Sequence, residues 1–121
     1  MTSKFEDDSY AVIGCAMAVH RELGSGLREK PYENALVHAL REEKLHPIQQ
    51  KSYPILFRGT VVGDCIPDIT VGPILIEVKS VESLGANEQA QLLNYLRIAG
   101  LKTGLLINFR NKSLEWERIV R

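Results

Sequence analysis

The spacing of apolar residues changes three times along this chain, and that constrains the fold more than any single motif. Up to about residue 44 the apolar positions recur at helical intervals. Beyond His46-Pro47 the period drops to two, returns to helical spacing over residues 87–100, and drops to two again. In the first stretch Asp8-Ser9 reads as a helix cap, and "YAVIGCAMAVHREL" carries apolar residues through Tyr10, Ile13 and Met17 until Gly24-Ser25-Gly26 ends it. A second helix is expected from about Arg28 to Lys44, with Tyr32, Leu36, Ala39 and Leu40 on one stripe and Pro31 in its first turn. Residues 49–80 read as three strands, turning near Arg58-Gly59 and Gly72-Pro73. The third helix stops at Gly100, a suitable glycine for the position after a helix end. "TGLLINF" is a compact strand and "LEWERIV" alternates as an edge strand. The expected fold is α/β, in the order α-α-β-β-β-α-β-β, with a mixed central sheet flanked by helices.

At 121 residues the chain fits one domain over 1–121, so one fold must supply any site. Fifteen basic residues balance fifteen acidic ones, which leaves no global field to draw a nucleic acid or a membrane. Such binding has to come from a local patch, for which Lys51, Arg58, Arg97, Arg110, Lys112, Arg118 and Arg121 are available. Cys15 and Cys65 are too few for a four-cysteine metal site, and a reduced cytoplasmic pair is expected rather than a disulfide. The longest apolar run, residues 11–19, is too short to span a bilayer and lacks the flanks of a signal peptide, so a cytoplasmic protein without membrane contact is expected.

Charge then interrupts an apolar strand. "ILIEVKS", residues 74–80, places Glu77 and Lys79 where a buried strand would carry aliphatics. If the hairpin turns symmetrically about Gly72-Pro73, facing residues have numbers that sum to 145, and Asp68 lies opposite Glu77. Facing Cβ atoms sit about 4.5–5.5 Å apart, where like charges destabilise unless a cation lies between them. Lys79 points to the same face about 7 Å along the strand, while Ile69, Ile74, Ile76 and Val78 take the other. Paired carboxylates suit Mg²⁺ or Mn²⁺, hard cations that take oxygen ligands and keep several waters. A nearby lysine could act on an attacking water or on charge developing at a phosphate. The same alternation also suits an exposed strand on which Lys79 forms a weak surface ion pair.

"IPDI" followed by "IEVK" resembles the PD-(D/E)XK nuclease signature, here Pro67-Asp68 with Glu77-Val78-Lys79. "QLLNY" supplies Gln91 and Tyr95, similar to the QxxxY helix motif of the RecB-like branch. "GLREKPY" gives Gly26, Glu29 and Tyr32 in the spacing that names the GxxExxY family. The resemblance covers roughly residues 10–110 and implies a restriction-endonuclease-like fold and metal-dependent phosphodiester hydrolysis, DNA being favoured over RNA. It implies that Asp68 and Glu77 bind the metal, that Val78 adds its backbone carbonyl, that Lys79 acts on the attacking water, and that Glu29 is the helix-borne acid of the site and a further metal ligand. Glu29 also falls at helical spacing with Tyr32 and Leu36, which places it on the inward stripe. Gln91 and Tyr95, four residues apart, share a helix face and support the site or touch substrate, and Tyr32 supports the site or packs in the core. His20 is read as a satisfied core group, and the glycines at 24 and 26 as a turn, since no phosphate-loop lysine follows them. So small a domain calls for a homodimer or a recruiting partner to hold its substrate. The alternatives are a non-catalytic module that keeps the fold to bind nucleic acid or protein, and a structural or toxin–antitoxin-like interaction protein.

Overall fold

Helices α1 (Ser9–Leu23) and α2 (Glu29–Glu42) lie against each other at the start of the chain, in a computed structural model that describes residues 7–121. The buried face of α1 is Val12, Ile13, Cys15, Ala16, Val19 and His20. Tyr10 and Met17, expected on that stripe, are each 46% exposed. Small residues at 15 and 16 let the two helices approach, and this moves the contact line a third of a turn away from the larger side chains. No side-chain bond from Asp8 caps α1; instead Asp7 Oδ1 accepts the Ser9 N–H at 3.0 Å. On α2 the buried stripe is Tyr32, Glu33, Leu36, Val37 and Leu40, with Ala39 only half-buried.

Five strands follow where three were expected: β1 (Pro47–Gln49), β2 (Tyr53–Phe57), β3 (Thr60–Cys65), β4 (Ile69–Val71) and β5 (Ile74–Lys79). The extra breaks have local causes. Gln50 takes a left-handed φ of 57° between β1 and β2, and Ile66-Pro67 interrupts the run between β3 and β4. The two long segments therefore change sheets midway. β2 and β3 form a separate two-stranded sheet, while β1 and β4 join the main one. Helix α3 (Ala86–Ala99) ends at Gly100 in the left-handed conformation, and β6 (Thr103–Asn108) and β7 (Glu115–Val120) close the chain.

The main sheet runs β1-β4-β5-β6-β7, with β5 and β6 parallel and the other neighbours antiparallel. It is the mixed sheet of a restriction-endonuclease-like fold, with β7 at an edge as its alternation suggested. Ile74, Ile76 and Val78 pack with Leu105, Ile107 and Phe109 beneath α1 and α2. Leu75 and Leu106 turn the other way and pack with Leu92 and Leu96 of α3. Both faces of β5 are thus covered, so the second face is not the bare charged one that its polar residues suggested. None of the described helices is long and apolar enough to cross a membrane.

Candidate active site

The β4–β5 hairpin sets the site. Its pairs, Ile69 with Ile76, Thr70 with Leu75 and Val71 with Ile74, all sum to 145. Gly72 has φ 53°, the sign a type II′ turn requires at its first central position, and Pro73 fits the second with its fixed negative φ. Continuing this register brings Asp68 and Glu77 together, and they bind each other's strands. Glu77 Oε1 accepts the Asp68 N–H at 2.8 Å, and Asp68 Oδ2 accepts the Val78 N–H, also at 2.8 Å. These bonds hold the two acids where charge alone would part them. Burial, and then the charge of Asp68, push the Glu77 carboxyl up to about 7, and Lys79 only partly offsets them. Burial raises Asp68 as well, with the charges of Glu33 and Glu29 adding to it.

Lys79 extends from the same face as Glu77 toward α3. Its Nζ stands 3.9 Å from Glu77 Oε2 and donates to Gln91 Oε1 at 3.0 Å, and Gln91 Nε2 donates to the Tyr95 hydroxyl at 3.2 Å. The four-residue spacing of Gln91 and Tyr95 therefore makes one chain of polar contacts from the lysine along the helix. Burial and the nearby charge of Glu77 raise the Tyr95 hydroxyl, which keeps it neutral and able both to donate and to accept.

The acids on α2 exchange places relative to the sequence expectation. Glu29 is exposed at the first residue of the helix, and its Oε2 accepts the Ser80 N–H at 2.9 Å. The inward acid is Glu33, 3% exposed. It accepts from Gln49 Nε2 at 2.6 Å, Gln50 Nε2 at 2.8 Å and Lys30 Nζ at 3.1 Å. Its spacing could have revealed it, because Glu33 precedes Val37 by four residues and Leu40 by seven. Tyr32 is fully buried and stacks on Phe109 at 4.5 Å, while its hydroxyl donates to the Gly24 carbonyl at 2.5 Å and accepts the Leu27 N–H at 3.2 Å. It fixes the turn that leads into Glu29 and presents nothing to solvent. His20 is nearly buried, with Nε2 2.8 Å from the Asn111 carbonyl.

Asn108 carried no sequence signal beyond its place at a strand end. It is fully buried and grips the segment after Lys79: its Nδ2 donates to the Val81 carbonyl and to Glu115 Oε1, both at 2.8 Å, and its Oδ1 accepts the Val81 N–H at 3.0 Å.

The donors present suit a hard cation that keeps part of its water shell. Asp68 and Glu77 each spend one oxygen on a backbone N–H and keep the other. The Val78 N–H points to the β4 side and the Lys79 carbonyl to the β6 side, where it accepts the Phe109 N–H at 3.0 Å. Strand alternation therefore directs the Val78 carbonyl toward the acids. A closed cage is not formed: among the described residues, no three His, Cys, Asp or Glu side chains gather to hold a metal, and Glu29 does not complete a third position. Two carboxylates with one free oxygen each suit a hard divalent cation that is only partly held by protein.

Comparison with known proteins bears on the family and the fold. No curated protein matches the sequence. The crystal structure of SSO0001 is similar in fold, with a TM-score of 0.60 at 20% identity, over 74% of this chain and 48% of that one. The chain thus spans about half the length of that structure. The sequence pattern of the PD-(D/E)XK nuclease superfamily matches residues 6–119. With that match running almost from end to end, the chain belongs to the PD-(D/E)XK nuclease superfamily.

Proposed function

We propose that the protein is a divalent-metal-dependent nuclease that hydrolyses phosphodiester bonds, DNA in preference to RNA, with Mg²⁺ or Mn²⁺ as its ion. The reading rests above all on the reciprocal Asp68–Glu77 pair with Lys79 beside it. Asp68, Glu77 and the Val78 carbonyl hold the ion, which supplies Lewis-acid stabilisation of charge at the phosphate. Lys79 acts on the attacking water. As an ammonium it donates only, so it orients the attacking water through the water oxygen, and the proton the water loses passes to solvent. Gln91 fixes the lysine and Tyr95 fixes Gln91. Glu29 serves by position: its bond to Ser80 clamps the start of α2 on the end of β5.

Within the superfamily the Gly26-Glu29-Tyr32 spacing supports a place in the GxxExxY family, and Gln91 with Tyr95 supports the RecB-like branch. Residues 1–121 act as one catalytic domain. The two free, buried thiols, Cys15 and Cys65, suit a reducing cytoplasm. A homodimer or a recruiting protein extends the substrate grip.

The test is cleavage of labelled single- and double-stranded DNA and RNA in Mn²⁺ or Mg²⁺. Wild type should cut DNA faster than RNA. Glu77→Ala should abolish cutting, and Lys79→Ala should lower kcat by roughly 10²- to 10⁴-fold. Wild type as inactive as both variants on every substrate and metal would falsify the nuclease reading.

A further inference from the structure

Helix α3 leads away from the site beside a groove. Beside and just past the Gln91–Tyr95 pair, Asn94, Arg97 and Ile98 face Pro54, Ile55 and Leu56 of β2 across an open groove of about 520 Å³. Arg97 also borders a second hollow, of about 430 Å³, with Leu93 and Arg121. The wall opposite the helix is unusually apolar for a surface: Leu56 is 61% exposed and Phe57 59%, with Val61 and Val62 beside them on the same hairpin. Tyr53 packs against the leucine cluster under α3, a bulge between Ile55 and Leu56 then breaks the alternation of β2, and beyond it Leu56 lines the groove with the exposed Phe57 next to it.

Cations edge this wall. The Arg58 guanidinium lies 4.9 Å from the centre of the Phe57 ring. Arg97 Nη2 meets only the neutral Asn94 amide oxygen, and Arg121 Nε donates to the Leu101 carbonyl at 2.9 Å. Among the described residues none of these three arginines is in an ion pair, whereas Arg118 is held by Asp7 at 3.0 Å. Arg58 has φ 50° at the hairpin tip, a conformation that suits Asn or Gly far better, so the turn presents a guanidinium at a conformational cost.

We infer that this groove is a track for a single strand of nucleic acid, with phosphates on Arg97 and Arg121 and unpaired bases against Leu56 and Phe57. Only the strand's destination, Lys79 and the acid pair, rests on the nuclease reading. Apolar and aromatic groups beside unpaired arginines are what a single strand requires, because its bases expose faces for stacking that a duplex hides. A twofold pairing of two copies through this face would find no carboxylate in the groove lining to receive Arg97 or Arg121.

Binding is measured by fluorescence anisotropy on the metal-free chain, with a labelled oligothymidylate of about 15 nucleotides and a duplex of equal length. Wild type should prefer the strand. Arg97→Ala with Arg121→Ala should reduce the slope of log affinity against log salt by about 1.4, near 0.7 for each phosphate that no longer meets an arginine. Phe57→Ala should weaken binding roughly tenfold and leave that slope unchanged, which separates stacking from charge. All three substituted side chains are exposed, and circular dichroism checks that each variant is folded. The track is overturned by failure to bind the strand at low salt, by preference for the duplex, by an unchanged slope in the double variant, or by a dimer that Phe57→Ala dissociates without altering strand binding. Cleavage of the same strand in Mn²⁺ separates the two readings. Binding that weakens in these variants as expected, but with no cutting, would sink the nuclease and keep the track; cutting that needs Glu77, with unchanged affinity in the double variant, would do the reverse.

Discussion

Glu77 makes the protein's pH response unusual. Its carboxyl titrates near 4.5 without the fold and near 7 within it. Between these values the folded chain holds a proton that the unfolded chain has released, so the metal-free protein loses stability as pH rises from about 4.5 to about 7. The loss is on the order of a few kcal/mol. Urea unfolding at pH 5 and pH 8 should show it in wild type, and Glu77→Gln should flatten the difference. Metal affinity runs the opposite way. The ion needs the carboxylate, so affinity should rise about tenfold per pH unit below about 7 and level off above it, with proton release measurable by calorimetry in two buffers. Glu33 contributes through its charge, which helps raise both Asp68 and Glu77. Glu33→Ala removes that charge and the charged acceptor of both glutamine amides, leaving Gln49 with Asn34 alone and the exposed Gln50 with solvent. Its urea midpoint should report a loss of about 1–3 kcal/mol, while the Glu77 titration, followed by side-chain carbon shifts, should move down. An unmoved Glu77 would mean that solvent screens the two acids from each other.

Helix α3 and strand β6 meet more closely than their side chains would otherwise allow. A Cβ on Gly104 would stand 2.8 Å from Leu92 Cδ2 and 2.9 Å from Leu92 Cγ. Gly104→Ala should therefore push α3 outward and cost about 1–3 kcal/mol in urea unfolding. Leu92→Ala in the same chain should recover part of that loss, whereas independent effects would add. Because α3 carries Gln91, the single variant should also loosen Lys79. Close packing of this kind explains which elements could be read in advance. The β4–β5 register was legible, since a period of two and a Gly-Pro turn fix the pairing locally and a slip by one would turn Ile74 and Ile76 out of the core. The third helix and its glycine stop were legible for the same local reasons. The division of two expected strands into four was not, because the breaks depend on which sheet offers partners on either side of Gln50 and Pro67. The α1 stripe was misplaced through Tyr10 and Met17 because the largest apolar side chains dominate the pattern, while the helix packs through Cys15 and Ala16. The acid pair was legible from the register together with its motif. The inward α2 acid was misplaced because the motif and the Tyr32–Leu36 spacing favour Glu29, although Glu33 shares the stripe of Val37 and Leu40, where partners from β1 and the following turn hold it.

At the scale of the whole molecule the site ties together parts that are distant in sequence. Glu29 on α2 bonds to Ser80 at the end of β5, Asp68 and Glu77 join β4 to β5, and Lys79 joins β5 to α3 through Gln91. None of this geometry exists in the unfolded chain, so an ion held there stabilises only the folded state. The gain follows from mass action: about 2.7 kcal/mol at a free concentration a hundred times Kd, or on the order of 10 °C in Tm for a chain of this size. Thermal unfolding with and without Mn²⁺ should show this shift in wild type at pH 8, where Glu77 is ionised, and a smaller one at pH 6. Asp68→Asn and Glu77→Gln should each remove it. Glu29→Ala should lower the starting Tm by undoing the clamp on Ser80 yet keep the shift, since Glu29 is held at Ser80 and does not gather with Asp68 and Glu77 into a three-carboxylate group. A shift lost with Glu29 would make that residue a ligand and require α2 to move toward β5 when the ion binds. A shift that survives both acid substitutions would put the ion elsewhere on the molecule and take the metal role from the β4–β5 hairpin.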